Sequence, residues 1–261
     1  MNGRALLPVL LPLAVLLAWT ALSGSGLAPA YLLPGPAAVF EAGVRYVFAA
    51  PGQGPYAGRF FTDLLASLGR VFAGFGLAAL LGVPLGLCSG RVVTVNRLFA
   101  STIGGLRAVP GICWLPLALI WFGIGFLSKV ILAFLMTVVV AAMSAYSGVR
   151  TADSALETLM VSLGARRMQI FTRLIVPSAM PSIITGLRVN IALAMAGSIV
   201  GEFIASDRGL GRMIVYAGTT FDLKLVWVGV TVLSILSVLM YASVVLLEKV
   251  LMRHWRGTVT E

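Results

Sequence analysis

Ionisable residues are so thinly spread along this chain that the intervals between them decide what it can fold into. Arg70 to Arg91, Arg107 to Lys129 and Lys129 to Arg150 each enclose 20 or 21 residues without a charge, and residues 225–247 form a further uncharged run of 23. A helix that crosses a bilayer needs about 20 mostly apolar residues, so each interval reads as a membrane span. Residues 189–206, interrupted by Glu202, and residues 5–22 complete the set. The composition agrees: 59% of the 261 residues are hydrophobic and 11% charged, against roughly 45 to 50% and about 25% in soluble domains. That balance excludes a disordered chain, a disulfide-stapled domain and a soluble globule. We therefore expect an all-α polytopic membrane protein, one domain over 1–261, with about six spans near 5–22, 68–90, 106–125, 128–148, 186–206 and 225–250.

The first of these segments also fits a cleavable leader, with Arg4 before it and small residues after it. It is longer than the roughly 7 to 15 residues of a signal core, which favours retention. With the first segment retained, both termini are cytoplasmic, residues 23–66 form an external segment containing a short helix near 37–49, and residues 150–181 form the largest cytoplasmic loop. Twelve of the 19 Lys and Arg residues then fall on the inner side, which satisfies the positive-inside rule. The net charge of +10 is dispersed one or two residues at a time at span ends. It therefore reads as orientation and not as a nucleic-acid stripe.

The inventory of reactive groups is short. His254 is the single histidine and lies among Arg253, Trp255 and Arg256, while Cys88 and Cys113 sit apart in apolar runs. No hydrolytic triad or zinc set can be assembled from these. No Lys follows a glycine as a phosphate-binding loop requires, so any ATP must be bound by another subunit. Glu202 is the one acid within a span, and a carboxylate at such a position needs a partner or a wet path. Arg70, at the start of the second span, is the expected partner.

The cytoplasmic loop has a helical period. Leu156, Leu159, Met160 and Leu163 share one face, Gly164 interrupts, and Met168, Phe171, Leu174 and Ile175 share a second face until Pro177 and Pro181 end it. Two short amphipathic helices of this kind need an apolar partner surface or a bilayer surface to lie on.

From Ser162-Leu163-Gly164-Ala165 through Val176-Pro177 to Gly186-Leu187-Arg188, the loop resembles the coupling-loop signature of binding-protein-dependent ABC importer permeases. Further stretches resemble the permeases for taurine, alkanesulfonates and nitrate: residues 67–75, Val109-Pro110, Trp114-Leu115-Pro116-Leu117, Trp121-Phe122-Gly123-Ile124-Gly125, Gly201-Glu202-Phe203-Ile204-Ala205 and Arg208-Gly209-Leu210-Gly211. The family loop usually opens with Glu-Ala-Ala, where this chain has Thr158, Leu159 and Met160, with Glu157 one place early. The resemblance implies a type I importer permease fold and a bacterial cytoplasmic (inner) membrane location. It also implies a second copy of the chain, ATP-binding subunits inside that hold ATP and magnesium, a solute-binding protein outside and lipid around. The chain itself would bind no cofactor. By the same resemblance, Glu157, Leu159, Met160, Leu163, Gly164, Ala165, Arg166, Arg167, Phe171 and Pro177 form the ATPase-coupling loop, and Arg70, Glu202, Gly209, Leu210 and Gly211 belong to the pathway or gate. The expected cargo is a small anion such as a sulfonate, taurine or nitrate. A transporter or channel driven by an ion gradient is the alternative, and it predicts an intramembrane relay of acids or histidines for which Glu202 alone qualifies.

Overall fold

A computed structural model describes residues 7–256 apart from residues 28, 51, 54 and 55. The described elements are all helical: α1 (Leu7–Gly24), α2 (Pro36–Phe48), α3 (Phe60–Arg91), α4 (Val93–Ala108), a 3-10 turn (Gly111–Trp114), α5 (Leu115–Phe122), α6 (Phe126–Val149), α7 (Ser154–Ser162), α8 (Arg167–Ile170), a π turn (Phe171–Ile175), α9 (Val176–Ile204), α10 (Leu210–Thr219) and α11 (Leu223–Arg256). The chain divides into two compact units, Met1–Ala66 with Arg208–Ile235 and Ser67–Asp207 with Leu236–Glu261.

Among the described residues, four helices are long and apolar enough to cross a membrane: Phe60–Arg91, Phe126–Val149, Arg167–Ile204 and Leu223–Val250. Two apolar helices, Leu10–Gly24 and Gly111–Phe122, are shorter. The expected span at 106–125 is therefore broken. Pro110 lacks an N–H and pushes Val109 to extended backbone (φ −91°, ψ 119°), so α4 stops there and the chain restarts as a 3-10 turn. Pro116 then sits in the first turn of α5, and Gly123 ends that helix at φ +72°.

Two other boundaries differ from those expected. The second span begins not near residue 68 but at Phe60, which brings Asp63 and Arg70 into the body of α3. Pro177 and Pro181 do not end the second loop helix. Pro177 falls in the first turn of α9 and Pro181 lies inside it. The π turn just before Pro177 supplies the reason there, since its wider ring relieves the i−4 pattern that this proline would break.

In the larger unit α6 packs along α9, and α3 lies close against α6. Helices in lipid gain little from burying apolar area against one another, so they depend on close backbone approach across small residues. On α3, Gly82, Gly86 and Gly90 face Ala141, Ala142 and Val149 of α6, and a Cβ on Gly86 would lie 2.0 Å from the Ala142 carbonyl oxygen. The end of the unit next to α7 is sealed by Ala145, Val149, Ile170, Leu174, Ile175, Ala179 and Ile183. In the smaller unit, the Trp19 and Trp227 rings stack with centroids 5.0 Å apart. Their indole N–H groups donate to the carbonyls of Pro34 (3.1 Å) and Leu32 (3.3 Å).

Gly86→Val should lower stability by about 1 to 3 kcal/mol through overpacking. Gly76→Ala, at a position on the same helix with nothing near its Cβ, should be neutral or stabilising. Thermal unfolding of the two variants in detergent checks this, and equal effects would contradict the close approach.

Candidate functional site

Arg70 and Glu202 meet inside the larger unit. Arg70 Nη1 donates to Glu202 Oε1 at 2.8 Å, with side chains only 4% and 0% exposed, and Ser67 Oγ donates to Glu202 Oε2 at 2.9 Å. Both carboxylate oxygens thus accept from α3, with Ser67 and Arg70 one turn apart on the same face. A charge pair this deep is retained only if it is well hydrogen-bonded, because desolvation of either ion alone costs several kcal/mol.

A third ionisable group stands nearby. Lys129, which bounds two charge-free runs in the sequence, is three residues inside α6 and fully buried. Its Nζ donates to the carbonyl oxygen of Ile124, in the Gly123–Gly125 turn, and it lies within electrostatic reach of Arg70, Glu202 and Asp207. Gly201 of α9 passes over its stem, where a Cβ would come within 3.0 Å of Lys129 Cγ. Asp207, beyond the end of α9, has Oδ1 3.9 Å from Arg70 Nη2 and a side chain 73% exposed.

The smaller unit holds its own buried acid. Asp63 Oδ1 accepts the Gly209 N–H at 2.9 Å, and Oδ2 accepts the Tyr46 hydroxyl at 3.3 Å. Burial, reinforced by the Asp63 charge, pushes the Tyr46 phenol far above its usual value, so it stays a donor. Gly209 precedes α10 at φ +125°, ψ 159°, backbone that only glycine adopts without strain. Gly209, Leu210 and Gly211, grouped as gate residues by their sequence, are all buried here. Asp207, Arg208 and Arg212 are the exposed side chains of that stretch.

The loop that follows α6 is built by local rules. The Asp153 carboxylate accepts the Ala155 N–H at 2.8 Å and caps α7. Gly164, at φ +79°, closes the helix as a Schellman turn, with the Ala165 N–H on the Met160 carbonyl and the Gly164 N–H on that of Val161, each at 2.9 Å. Leu156, Leu159 and Leu163 are exposed, at 48%, 54% and 78%. Met160, Ala165 and Phe171 pack back against the seal next to α7. Arg166 and Arg167 are exposed and Pro177 is half-buried. Met168 does not share a face with Leu174 and Ile175. It is 70% exposed, and Ile170 is buried in its place.

Glu157 is engaged within the chain. Arg91, the last residue of α3, donates Nη1 to Oε2 at 2.9 Å and Nη2 to Oε1 at 2.5 Å. This two-point pair holds α7 to α3 and keeps the Glu157 carboxyl below its usual range, chiefly through that hydrogen bond. Sequence reading missed Arg91, Lys129, Ser67 and Asp63 as participants. The available signal for Arg91 and Lys129 was that each bounded a charge-free run, which marked them as helix ends and not as partners.

A cavity of about 790 Å³ opens between α6 and α9, with walls that include Trp114, Met136, Met143, Ser144, Ser147, Ser182 and Thr185. Hydroxyls beside thioethers and an indole can pass a small solute with polar and apolar parts.

The profile of binding-protein-dependent transport system inner membrane components matches residues 78–256, more than half of the chain. The chain is 35% identical to the taurine transport system permease protein TauC of Escherichia coli, over 95% of this chain and 89% of that one. It is 32% identical to the formylaminopyrimidine transport permease protein ThiX of Halalkalibacterium halodurans, over 97% of both. Its fold is similar to that of the MetNI methionine ABC transporter in an inward-facing conformation, with a TM-score of 0.65 and 17% identity over 73% of this chain and 95% of that one.

Glu202→Gln and Arg70→Gln should each cost about 3 kcal/mol or more, and the double variant clearly less than their sum. A double-mutant cycle by thermal unfolding reads this, and strictly additive losses would show the pair to be uncoupled. The Glu157 tie has a pH signature. A carboxyl held below its usual value stabilises at and above the ordinary glutamate range and loses that contribution as pH falls through the lowered value. Amide protection of α7 should therefore fall only below the ordinary glutamate range, and Arg91→Gln, which removes the tie, should leave that protection low and without this pH step. A profile unchanged by that substitution would separate the two residues.

Proposed function

The chain belongs to the family of binding-protein-dependent transport system inner membrane components, and from that membership we propose how this permease of an ABC importer works. Two copies assemble in the bacterial inner membrane with cytoplasmic ATPase subunits that hold ATP and magnesium, and a solute-binding protein delivers the cargo from outside. Both termini face the cytoplasm, and the chain itself performs no hydrolysis.

The observation that carries this reading is the outward face of α7. Leu156, Leu159 and Leu163 expose apolar side chains on a helix that is capped at both ends and tied to α3 by Arg91 and Glu157. A rigid apolar ridge of this kind suits insertion into an apolar groove of a partner subunit, as an amphipathic helix lays its apolar face into one. ATP-driven closure of the ATPases would draw two such ridges together, and the tie to α3 and the helical continuity into α9 would carry that movement to the spans. The Arg70–Glu202 pair then acts as a gate contact that breaks and reforms during the cycle.

For cargo, the taurine relative and the two buried cations, Arg70 and Lys129, favour a small anion such as a sulfonate, taurine or nitrate. The cavity hydroxyls supply hydrogen bonds along its way.

Leu159→Asp and Leu163→Asp should each reduce co-purification of the ATPase at least about tenfold and abolish ATP-dependent uptake into proteoliposomes, with insertion of the permease unchanged. Wild-type assembly and uptake in both variants would remove α7 from the ATPase contact.

A further inference from the structure

Three hydroxyls of the cavity between α6 and α9 keep their protons available. On these helices Thr137, Ser144 and Ser178 each donate to a carbonyl one turn back, at 2.7 to 2.8 Å, a bond within reach of any helical serine or threonine. Among the described residues, Ser147, Ser182 and Thr185 form no such bond, and all three line the cavity. Ser147 stands one turn beyond Ser144 on α6, and Ser182 and Thr185 stand one turn apart on α9, so each pair shares a face. The two faces meet closely, since a Cβ on Gly186 would lie 2.0 Å from Ser144 Oγ. About two turns away along α6 the wall is apolar, with Met136 and, on the 3-10 turn, Trp114. The turn is pressed against that methionine: a Cβ on Gly111 would lie 2.6 Å from Met136 Cγ. Among the described residues, none in the wall is ionisable. Arg188 of α9 pairs with Glu248 of α11, and Arg150, just past α6, donates to the Tyr146 hydroxyl at 3.1 Å.

We propose that this cavity is a charge-blind resting site for the solute. It holds an oxygen-rich head, a sulfonyl or carboxyl group, by hydrogen bonds from Ser147, Ser182 and Thr185, and a thin apolar or aromatic body against Trp114 and Met136. A charged head loses more hydration on entry than a neutral one but draws stronger hydrogen bonds from the same hydroxyls, and the two effects offset. A wall without a fixed charge also holds its guest loosely, which suits a site that must be left as readily as it is entered. A lipid chain in the same space would leave the hydroxyls unmet, which disfavours it as the occupant. The biological role of the site rests on the reading of the chain as an importer permease, and it assigns selection for the sign of the cargo to groups outside this cavity. The binding itself needs no transport.

The probes are benzenesulfonate and methyl phenyl sulfone, which differ chiefly in charge. Each is titrated calorimetrically into the full-length chain in nanodiscs of zwitterionic lipid, with empty nanodiscs as the blank. Both should bind saturably, with affinities within about fivefold of each other. Replacing all three hydroxyls, by Ser147→Ala, Ser182→Ala and Thr185→Val together, changes the shape of the wall little and should weaken both probes at least about tenfold. Thr185→Val alone should weaken both about threefold, which keeps the test open if the triple variant does not fold. Trp114→Ala should also weaken both. No saturable binding of either probe, a preference beyond fivefold for one of them, or wild-type affinity in the hydroxyl variants would overturn the proposal. ATP-driven uptake by the complex with its ATPase, measured separately, reports on the importer reading alone, so failure of one can be told from failure of the other.

Discussion

A carboxylate inside an apolar helix has no water to neutralise it, and the larger unit is arranged around meeting that need for Glu202. Arg70 must come from a different helix, and it must come from deep within that helix and not from its end. Hence α3 begins well before its charge-free run, and Ser67 and Arg70 project from one face of it. Lys129 must then be accommodated beside two other ions, which is why α6 starts at a glycine turn whose carbonyl can receive the ammonium. Gly201 leaves room for the lysine stem under α9. Three helices are thereby set in register by one charge.

Small residues do the complementary work. In lipid, an apolar side chain gains little by leaving the bilayer for a neighbouring helix, so contact is won by bringing backbones near each other. Gly82, Gly86 and Gly90 on α3 and Gly197 on α9 each face α6 at distances that no side chain would permit. The ionic contact sets which faces meet, and the glycines set how closely. At the end next to α7 the geometry changes character: Ile170, Leu174 and Ile175 fold back onto Val149 and Ala179, while the leucines of α7 stay outside.

The charge-free intervals made the apolar helices legible, and the period of residues 156–163 made α7 legible, because both depend on local pattern. What escaped depended on tertiary context. Val109-Pro110 carries a plain break signal, yet the apolar run around it read as one span. Pro177 read as a terminator because nothing in its neighbourhood announces a π turn. Lys129 read as a boundary, since a lone lysine between two long apolar runs is most simply placed in water, and only the positions of Arg70, Asp207 and the Ile124 carbonyl reveal its buried place. The Arg70–Glu202 pairing could be nominated from sidedness alone. Asp63 could not, because it accepts from the Tyr46 hydroxyl and from a backbone N–H at Gly209, which has no sequence signature beyond the glycine itself.

The π turn at Phe171–Ile175 fixes more than the course of the chain past a proline. Each α-helical residue advances the azimuth by about 100°, and a π turn absorbs one residue without advancing the helix by the same angle. Residues upstream of it are therefore rotated out of phase with those downstream. This offset puts Met168 outside and Ile170 inside, although a continuous period from Leu174 and Ile175 would choose Met168 for the interior. Removing one residue from that turn would re-phase everything before it, so that Arg166, Arg167 and the ridge before them pointed elsewhere while α3, α6 and α11 kept their lengths. For a chain of this kind, the angular setting of that ridge is as much an inherited quantity as its hydrophobicity.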